Sequence, residues 1–315
     1  MRICLFIEGQ ENVTWEQWLA LARACESAGL EGLFRSDHYV SVVGDPERGS
    51  LDAWATLAAL AQATERIRLG TLVSPVTFRH PSVLAKMVVT VDHVSGGRAE
   101  LGLGAGWLEP EHQAYGFPFP AEATRLEMLE EQIEIIHRSW HPGPVDFGGQ
   151  HYRIEGLEAL PKPVQRPHPN LIVGGHGGKR SAAVTARWAD EYNTVFASPD
   201  LCRTRRERVA KAYEEAGRDP DSLVFSVMTR AIVGADAGEF HARVRAAMAA
   251  RGETGSEDSW LADNSRSWVA GTIDHVVEQL RQFEAAGVQR VMLQHLQHED
   301  VEMVRVLGEI ATLVG

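Results

Sequence analysis

Short apolar runs alternate with segments of helical period almost without a break along this chain, and that rhythm limits the possible folds more than anything else. Runs at 2–7, 31–36, 67–73, 99–103, 170–173, 191–196, 223–233 and 290–295 are bounded by turn residues and short enough to be buried strands. Amphipathic stretches at 14–28, 51–64, 81–94, 122–140, 179–188, 199–216, 239–251, 273–286 and 301–313 read as helices. Several carry their own boundary signals. Thr14 is a fitting N-cap and Gly29 a stop for the first, and Pro81 takes the first helical position of the third. Eight strands, each followed by a helix, predict a single (β/α)8 TIM barrel spanning 1–315, with a doubly wound open sheet as the runner-up.

Two places break the rhythm. Residues 142–169 are rich in Pro and Gly and read as a hairpin-like insertion and connector after the fourth strand. Residues 252–266, after the seventh, read as a polar loop carrying Trp260. A net charge of −12 argues against nucleic acid and anionic membranes as partners, since both need a positive field. Cys4, Cys25 and Cys202 are too scattered for a zinc or redox motif and are expected to be buried and reduced, in the cytoplasm. The apolar run 3–7 is stopped by Glu8, too short for a signal peptide, and no stretch is long enough to span a bilayer.

Glycine loops follow the fourth and fifth strands. Gly102-Leu-Gly-Ala-Gly-Trp107 fails the dinucleotide fingerprint, because Trp107 stands where the third glycine should be. Val173-Gly-Gly-His-Gly-Gly-Lys-Arg180 fails the P-loop pattern, with Val173 at the first glycine position and Arg180 at the Ser/Thr position. This second loop has a mechanism of its own. Gly174, Gly175, Gly177 and Gly178 let backbone amides converge at the start of a helix, where Lys179 and Arg180 add charge, so a phosphate is well served.

Ser36-Asp-His-Tyr39 sits at the end of the second strand, where a barrel keeps its ligands, and His38 beside Asp37 suits acid–base work. Glu109 and Glu111 read mainly as exposed loop carboxylates that could line the site. The acidic run at 127–134 reads as a solvated helix face. No metal is expected: His295-x-x-His298, followed by Glu299 and Asp300, has ligand-like spacing but spans a strand end and a loop. Trp54, Trp107, Trp188 and Trp268 read as core or pocket wall.

These pieces, with Thr64-Glu-Arg-Ile-Arg-Leu-Gly-Thr-Leu-Val73, Phe78-Arg-His-Pro-Ser-Val-Leu-Ala-Lys86, Val91-Asp-His-Val-Ser-Gly-Gly-Arg98 and Pro161-Lys-Pro-Val-Gln-Arg-Pro-His-Pro169, resemble the luciferase-like monooxygenase superfamily from end to end. The resemblance is strongest to its branch using the deazaflavin coenzyme F420. It implies the coenzyme ring at the carboxyl ends of the strands and its phosphate on the turn after the fifth strand, at Gly175, His176, Gly177, Gly178 and Lys179. It also implies Asp37 and His38 at the ring's reacting face, a bulge with a non-proline cis peptide at Leu72 and Val73, and Gly104, Ala105 and Gly106 along the ring edge. Relatives that oxidise sugar phosphates carry a glutamate where this chain has Trp107, which implies an apolar or aromatic substrate pocket instead.

The sequence therefore predicts an F420-dependent oxidoreductase acting on a small-molecule substrate, with His38 as the proton-handling group and Asp37 holding geometry. A reduced-FMN monooxygenase with a separate reductase and a non-catalytic flavin-binding barrel are the alternatives, and a cofactor-free sugar-phosphate isomerase fits only the phosphate turn. By analogy the assembly is a homodimer. The substrate is expected to be shaped by the loops at 40–50, 108–121 and 252–266.

Overall fold

The computed structural model describes residues 1–42, 45, 47–264 and 267–315. Eight parallel strands close on themselves: β1 (Arg2–Ile7), β2 (Gly32–Arg35), β3 (Arg68–Pro75), β4 (Ala99–Gly104), β7 (Asn170–Gly174), β8 (Glu191–Val195), β9 (Val224–Gly234) and β11 (Arg290–Gln294), with β11 returning to β1. This is the (β/α)8 barrel that the alternation predicts.

Two strand groups lie outside the ring. β5 (Val145–Gly148) and β6 (Arg153–Leu157) form the antiparallel hairpin of the first insertion. Its turn is held by Glu131, whose carboxylate accepts the amides of Gln150, His151 and Tyr152 at 2.6, 3.0 and 3.0 Å, so part of the acidic run is structural rather than merely solvated. β10 (Val269–Thr272) extends the far end of β9 and has no counterpart in the sequence reading. The supposed polar loop at 252–266 contains α9 (Glu257–Asn264), with Trp260 buried against Trp268. Its residues 265 and 266 lie outside the described residues, as do 43, 44 and 46 of the loop at 40–50.

Helices surround the ring: α1 (Trp15–Ser27), α2 (Ala53–Ala63), α3 (Pro81–Ser95), α5 (Glu122–Trp140), α6 (Lys179–Trp188), α7 (Pro199–Glu215), α8 (Ala237–Ala249), α10 (Ile273–Ala285) and α11 (Val301–Val314). Local signals fix their ends. Thr14 and Gln17 form a capping box before α1, worth about 1 kcal/mol. Gly96 ends α3 at φ 66°, a left-handed conformation that glycine adopts without a Cβ penalty.

The ring interior is layered. At its amino end Arg290 is fully buried between Glu100 and Glu191, at 2.7 and 3.0 Å, with Glu31 at 2.8 Å. Burial works against the charge of Glu100, but Arg290 and Arg68 outweigh it and hold its pKa down at about 2. Above this ionic layer lie Phe6, Phe34, Leu72, Ile172, Met228 and Met292. The larger apolar core fills the space between strands and helices. With its lower two layers occupied by side chains, the barrel leaves the carboxyl ends of the strands to build a site.

Candidate active site

The end of β2 runs directly into Ser36, Asp37 and His38. The His38 imidazole donates from Nδ1 to Glu111 Oε2 at 2.8 Å. The other oxygen of Glu111 accepts the amide of Tyr39, and that of Val40 at 3.2 Å. Glu111 is therefore not an exposed loop carboxylate: its side chain is 0% exposed, against 14% for His38. The segment at 108–121 is not a plain loop either. It contains α4 (Glu109–Tyr115), which begins with Pro110 in its first turn and presents Glu111 inward.

His112 pins that helix. Its Nδ1 donates to Leu108 O at 2.7 Å, and Nε2 accepts from the Thr77 hydroxyl at 2.6 Å. Tyr39, Phe78, Tyr115 and Phe117 stack around it with ring centroids 4.8–6.0 Å apart. Trp107, 64% exposed, stands edge-on to His38 at 5.7 Å and 80°.

Burial works to lower the His38 pKa, but the hydrogen bond and charge of Glu111, with smaller help from Glu8 and Asp37, raise it above its ordinary 6.5. The Nδ1 bond also fixes the ring and leaves Nε2 without a partner among the described residues. Nε2 can thus hold a proton or take one up.

Asp37 serves a different partner. It is 1% exposed, accepts from Ser74 Oγ at 2.6 Å, and receives both Nη atoms of Arg79 at 2.6 and 3.2 Å. Arg79 reaches on to Asp52 at 2.9 Å and to the Tyr39 hydroxyl at 3.0 Å. Asp37 therefore ties the end of β2 to the β3 bulge.

That bulge lies between Thr71 and Ser74, and the Leu72–Val73 peptide bond is cis, as the resemblance implies. The glycines beside it have a packing reason. A Cβ at Gly104 would fall 2.5 Å from Val73 Cγ2, and one at Gly174 would fall 2.8 Å from Val73 Cγ1. Gly106 turns the β4 loop at φ 78°.

On the far side of the mouth, the turn after β7 holds Gly175, His176, Gly177, Gly178 and Lys179. Gly177 is buried at φ 74°, and its amide donates to the Tyr192 hydroxyl at 2.6 Å. Gly175 leaves room for that hydroxyl, since a Cβ there would lie 2.6 Å from it. Gly178 is the N-cap of α6 and makes no side-chain cap, so the exposed amides of the first turn are open to an anion. Arg208 donates to Gly177 O at 2.6 Å and Lys179 and Arg205 add positive charge around the turn, whereas Arg180 turns to Glu130 of α5 at 3.4 Å.

Several mouth residues carry no motif that sequence reading could detect. Gln10 and Gln294 both donate to the Glu8 carboxylate, at 2.8 and 2.6 Å, and Arg230 Nε donates to Gln294 Oε1 at 3.2 Å. Arg230 is buried, lies 4.6 Å from the Trp268 ring, and has no partner for its two Nη groups among the described residues. Burial, reinforced by Arg251, lowers its pKa to about 10. Phe196, at the end of β8, takes φ 45° while 42% exposed, in a region non-glycine residues rarely occupy.

The model of luciferase-like monooxygenases matches residues 1–290. The chain belongs to the luciferase-like monooxygenase family. Among its luciferase-like relatives is the pyrimidine monooxygenase RutA of Escherichia coli (strain SMS-3-5), 26% identical over 273 residues, covering 84% of this chain and 72% of that protein. Another is a Mycobacterium tuberculosis oxidoreductase whose name proposes dependence on coenzyme F420, 28% identical over 318 residues, covering 85% of this chain and 87% of that protein. In fold, the chain is similar to an F420-dependent secondary alcohol dehydrogenase solved with an F420–acetone adduct, with a TM-score of 0.84 and 20% identity, covering 100% of this chain and 99% of that one. Among the described residues of this luciferase-like protein, no helix is long and apolar enough to cross a membrane.

Proposed function

We propose that the protein moves a hydride between coenzyme F420 and a small organic substrate at the carboxyl ends of the barrel strands. The observation that carries this reading is the His38–Glu111 pair, a buried carboxylate fixing an imidazole and favouring its charged form while Nε2 is left free to exchange a proton. When bound, the deazaflavin supplies the hydride acceptor or donor; the protein supplies position, a proton and electrostatics. The uncapped start of α6, with Lys179, Arg205 and Arg208 around it, suits the coenzyme's phosphate, and Gly175, His176, Gly177 and Gly178 shape that turn. The bulge at Leu72–Val73 and the segment Gly104, Ala105 and Gly106 flank the space assigned to the ring.

In the oxidative direction the substrate's O–H or N–H would give its proton to His38 Nε2, the hydride acceptor being supplied by the coenzyme when bound, and in the reductive direction Nε2 would return that proton. Glu111 keeps the ring oriented and favours the imidazolium that forms. Asp37, through Ser74 and Arg79, holds the strand end from which His38 projects. The Nη groups of Arg230 offer a hydrogen-bonding fork to an acceptor on the substrate.

A reduced-FMN monooxygenase is the second reading, supported by RutA among the relatives. Titration of the purified protein with both coenzymes separates them: tight F420 binding with weak FMN binding is expected, and the opposite order overturns the choice. His38→Ala is expected to lower turnover by about 10²-fold or more. Unchanged turnover in that variant refutes the assignment of His38.

A further inference from the structure

Remote from His38, the fold gathers three histidines separated in sequence. His137 and His141 lie at i and i+4 where α5 ends, and His168 lies in the connector that leads into β7, flanked by Pro167 and Pro169. One ring nitrogen of each lies within 4.8 Å of those of the other two, and the ring centroids are 4.5, 4.8 and 5.5 Å apart. All three are half-buried.

We propose that His137, His141 and His168 bind a borderline divalent transition-metal ion of the Zn²⁺ class. Two observations beyond proximity support it. His141 Nδ1 donates to His137 O at 2.8 Å, and His168 Nδ1 donates to Pro169 O at 2.9 Å with Asp190 Oδ2 at 3.7 Å. An outer partner on one ring nitrogen fixes the tautomer and leaves the lone pair of Nε2 for a ligand, the usual arrangement around a metal-bound histidine. Second, His137 and His141 line a cavity of about 300 Å³ bounded by Arg138, Pro142, Pro144 and Trp188, which leaves room for a water to complete the coordination.

Zn–N bonds of about 2.0–2.1 Å put tetrahedral ligand nitrogens about 3.3 Å apart, so modest side-chain rotations would close the set. Imidazole ligands suit Zn²⁺, Ni²⁺ and Cu²⁺ and not Mg²⁺ or Ca²⁺. The position, where α5 meets the entry to β7, makes the ion a staple between helix and connector rather than part of the chemistry at the strand ends.

The test uses the untagged full-length protein, stripped with EDTA and dialysed, then titrated with ZnCl₂ by calorimetry. One Zn²⁺ per chain is expected, with no heat from MgCl₂ and a Tm that rises with Zn²⁺ concentration. His141→Gln and His168→Gln should each weaken Zn²⁺ binding by at least about 10–100-fold, the loss that even outer-shell partners cause. Co²⁺ loaded into the unmutated protein should give visible d–d absorption that Zn²⁺ abolishes. The Co²⁺ measurement stands independently of whether either variant folds. A stoichiometry well below one, Zn²⁺ affinity unchanged in folded variants, or no Co²⁺ band overturns the proposal.

Discussion

Replacing Glu111 with glutamine tests the link between burial, hydrogen bonding and the proton on His38. The carboxylate accepts three donors, His38 Nδ1 at 2.8 Å and the amides of Tyr39 and Val40, and none of its side chain reaches solvent. A glutamine offers one acceptor oxygen and an NH₂. With its oxygen on the Tyr39 and Val40 amides, its NH₂ meets His38 Nδ1, which can accept only by moving its proton to Nε2; with the ring charged, two donors face each other at a cost of about 1–3 kcal/mol. When His38 is charged, it has also lost its ion partner, and the cost approaches about 3–5 kcal/mol. The sign with pH follows. In the parent protein the folded state holds the His38 proton more tightly than the unfolded chain, so that stabilisation is complete below about 6.5 and lost as pH rises through the raised folded value. Without Glu111, burial dominates and the folded pKa falls below 6.5, so protonation then favours unfolding. The stability gap between Glu111→Gln and parent should therefore widen toward acid. Urea unfolding at about pH 5.5 and 8.5 reads that gap directly from the midpoints and slopes. NMR titration of the His38 ring should show its midpoint lowered in the variant. An equal gap at both pH values, or an unmoved His38 titration, refutes the account.

Three other substitutions probe the rest of the barrel. Gly177→Ala places a side chain at φ 74° with its Cβ 2.9 Å from Arg205 Cγ, so a stability loss of at least about 1–2 kcal/mol is expected in thermal unfolding, together with weaker coenzyme binding. Arg290→Met leaves Glu191 buried without its cation and Glu100 with Arg68 alone, and should cost about 3–5 kcal/mol. In the parent, Glu100, held at about 2 against an ordinary 4.5, contributes stability that is present above 4.5 and lost as pH falls toward 2. In Arg290→Met burial raises the folded Glu100 pKa, so this acid loss should shrink and the stability gap to the parent narrow as pH falls from 4.5 toward 2, as thermal melts across the acid range would show. Arg230→Ala removes a charged hydrogen-bonding fork worth about 1.5–3 kcal/mol to a substrate acceptor, so KM should rise by about 10- to 100-fold with a smaller change in kcat.

The barrel was legible because each strand and helix announces itself locally. Helix α6 is predicted at 179–188 and observed there, since a glycine turn starts it and Trp188 closes its apolar face. The missed pieces depend on tertiary context. β10 is four residues long and exists because β9 runs on past its barrel partners to meet it. α4 is seven residues long, below the length at which periodicity separates helix from loop. That explains Glu111: in sequence it is one acidic residue in a polar segment, and only the anchoring of His112 to Thr77 turns it inward onto His38.

The same reasoning separates the two meanings of glycine at the mouth. Gly104 and Gly174 make way for the Val73 side chain, a demand set by packing within the chain. Gly178 leaves a helix start without a capping side chain, which matters only if something anionic arrives there. Sequence patterns weight these glycines alike. Of the two kinds, only the start at Gly178 with the cations around it suits the phosphate of the proposed coenzyme. On the other side of the mouth, the imidazole proposed to exchange a proton is held by a carboxylate 73 positions away along the chain. An open anion site and an imidazole able to exchange a proton, brought to one rim of a barrel over a bulge at Leu72–Val73, would supply the positioning half of the proposed redox reaction and leave the electrons to a ligand.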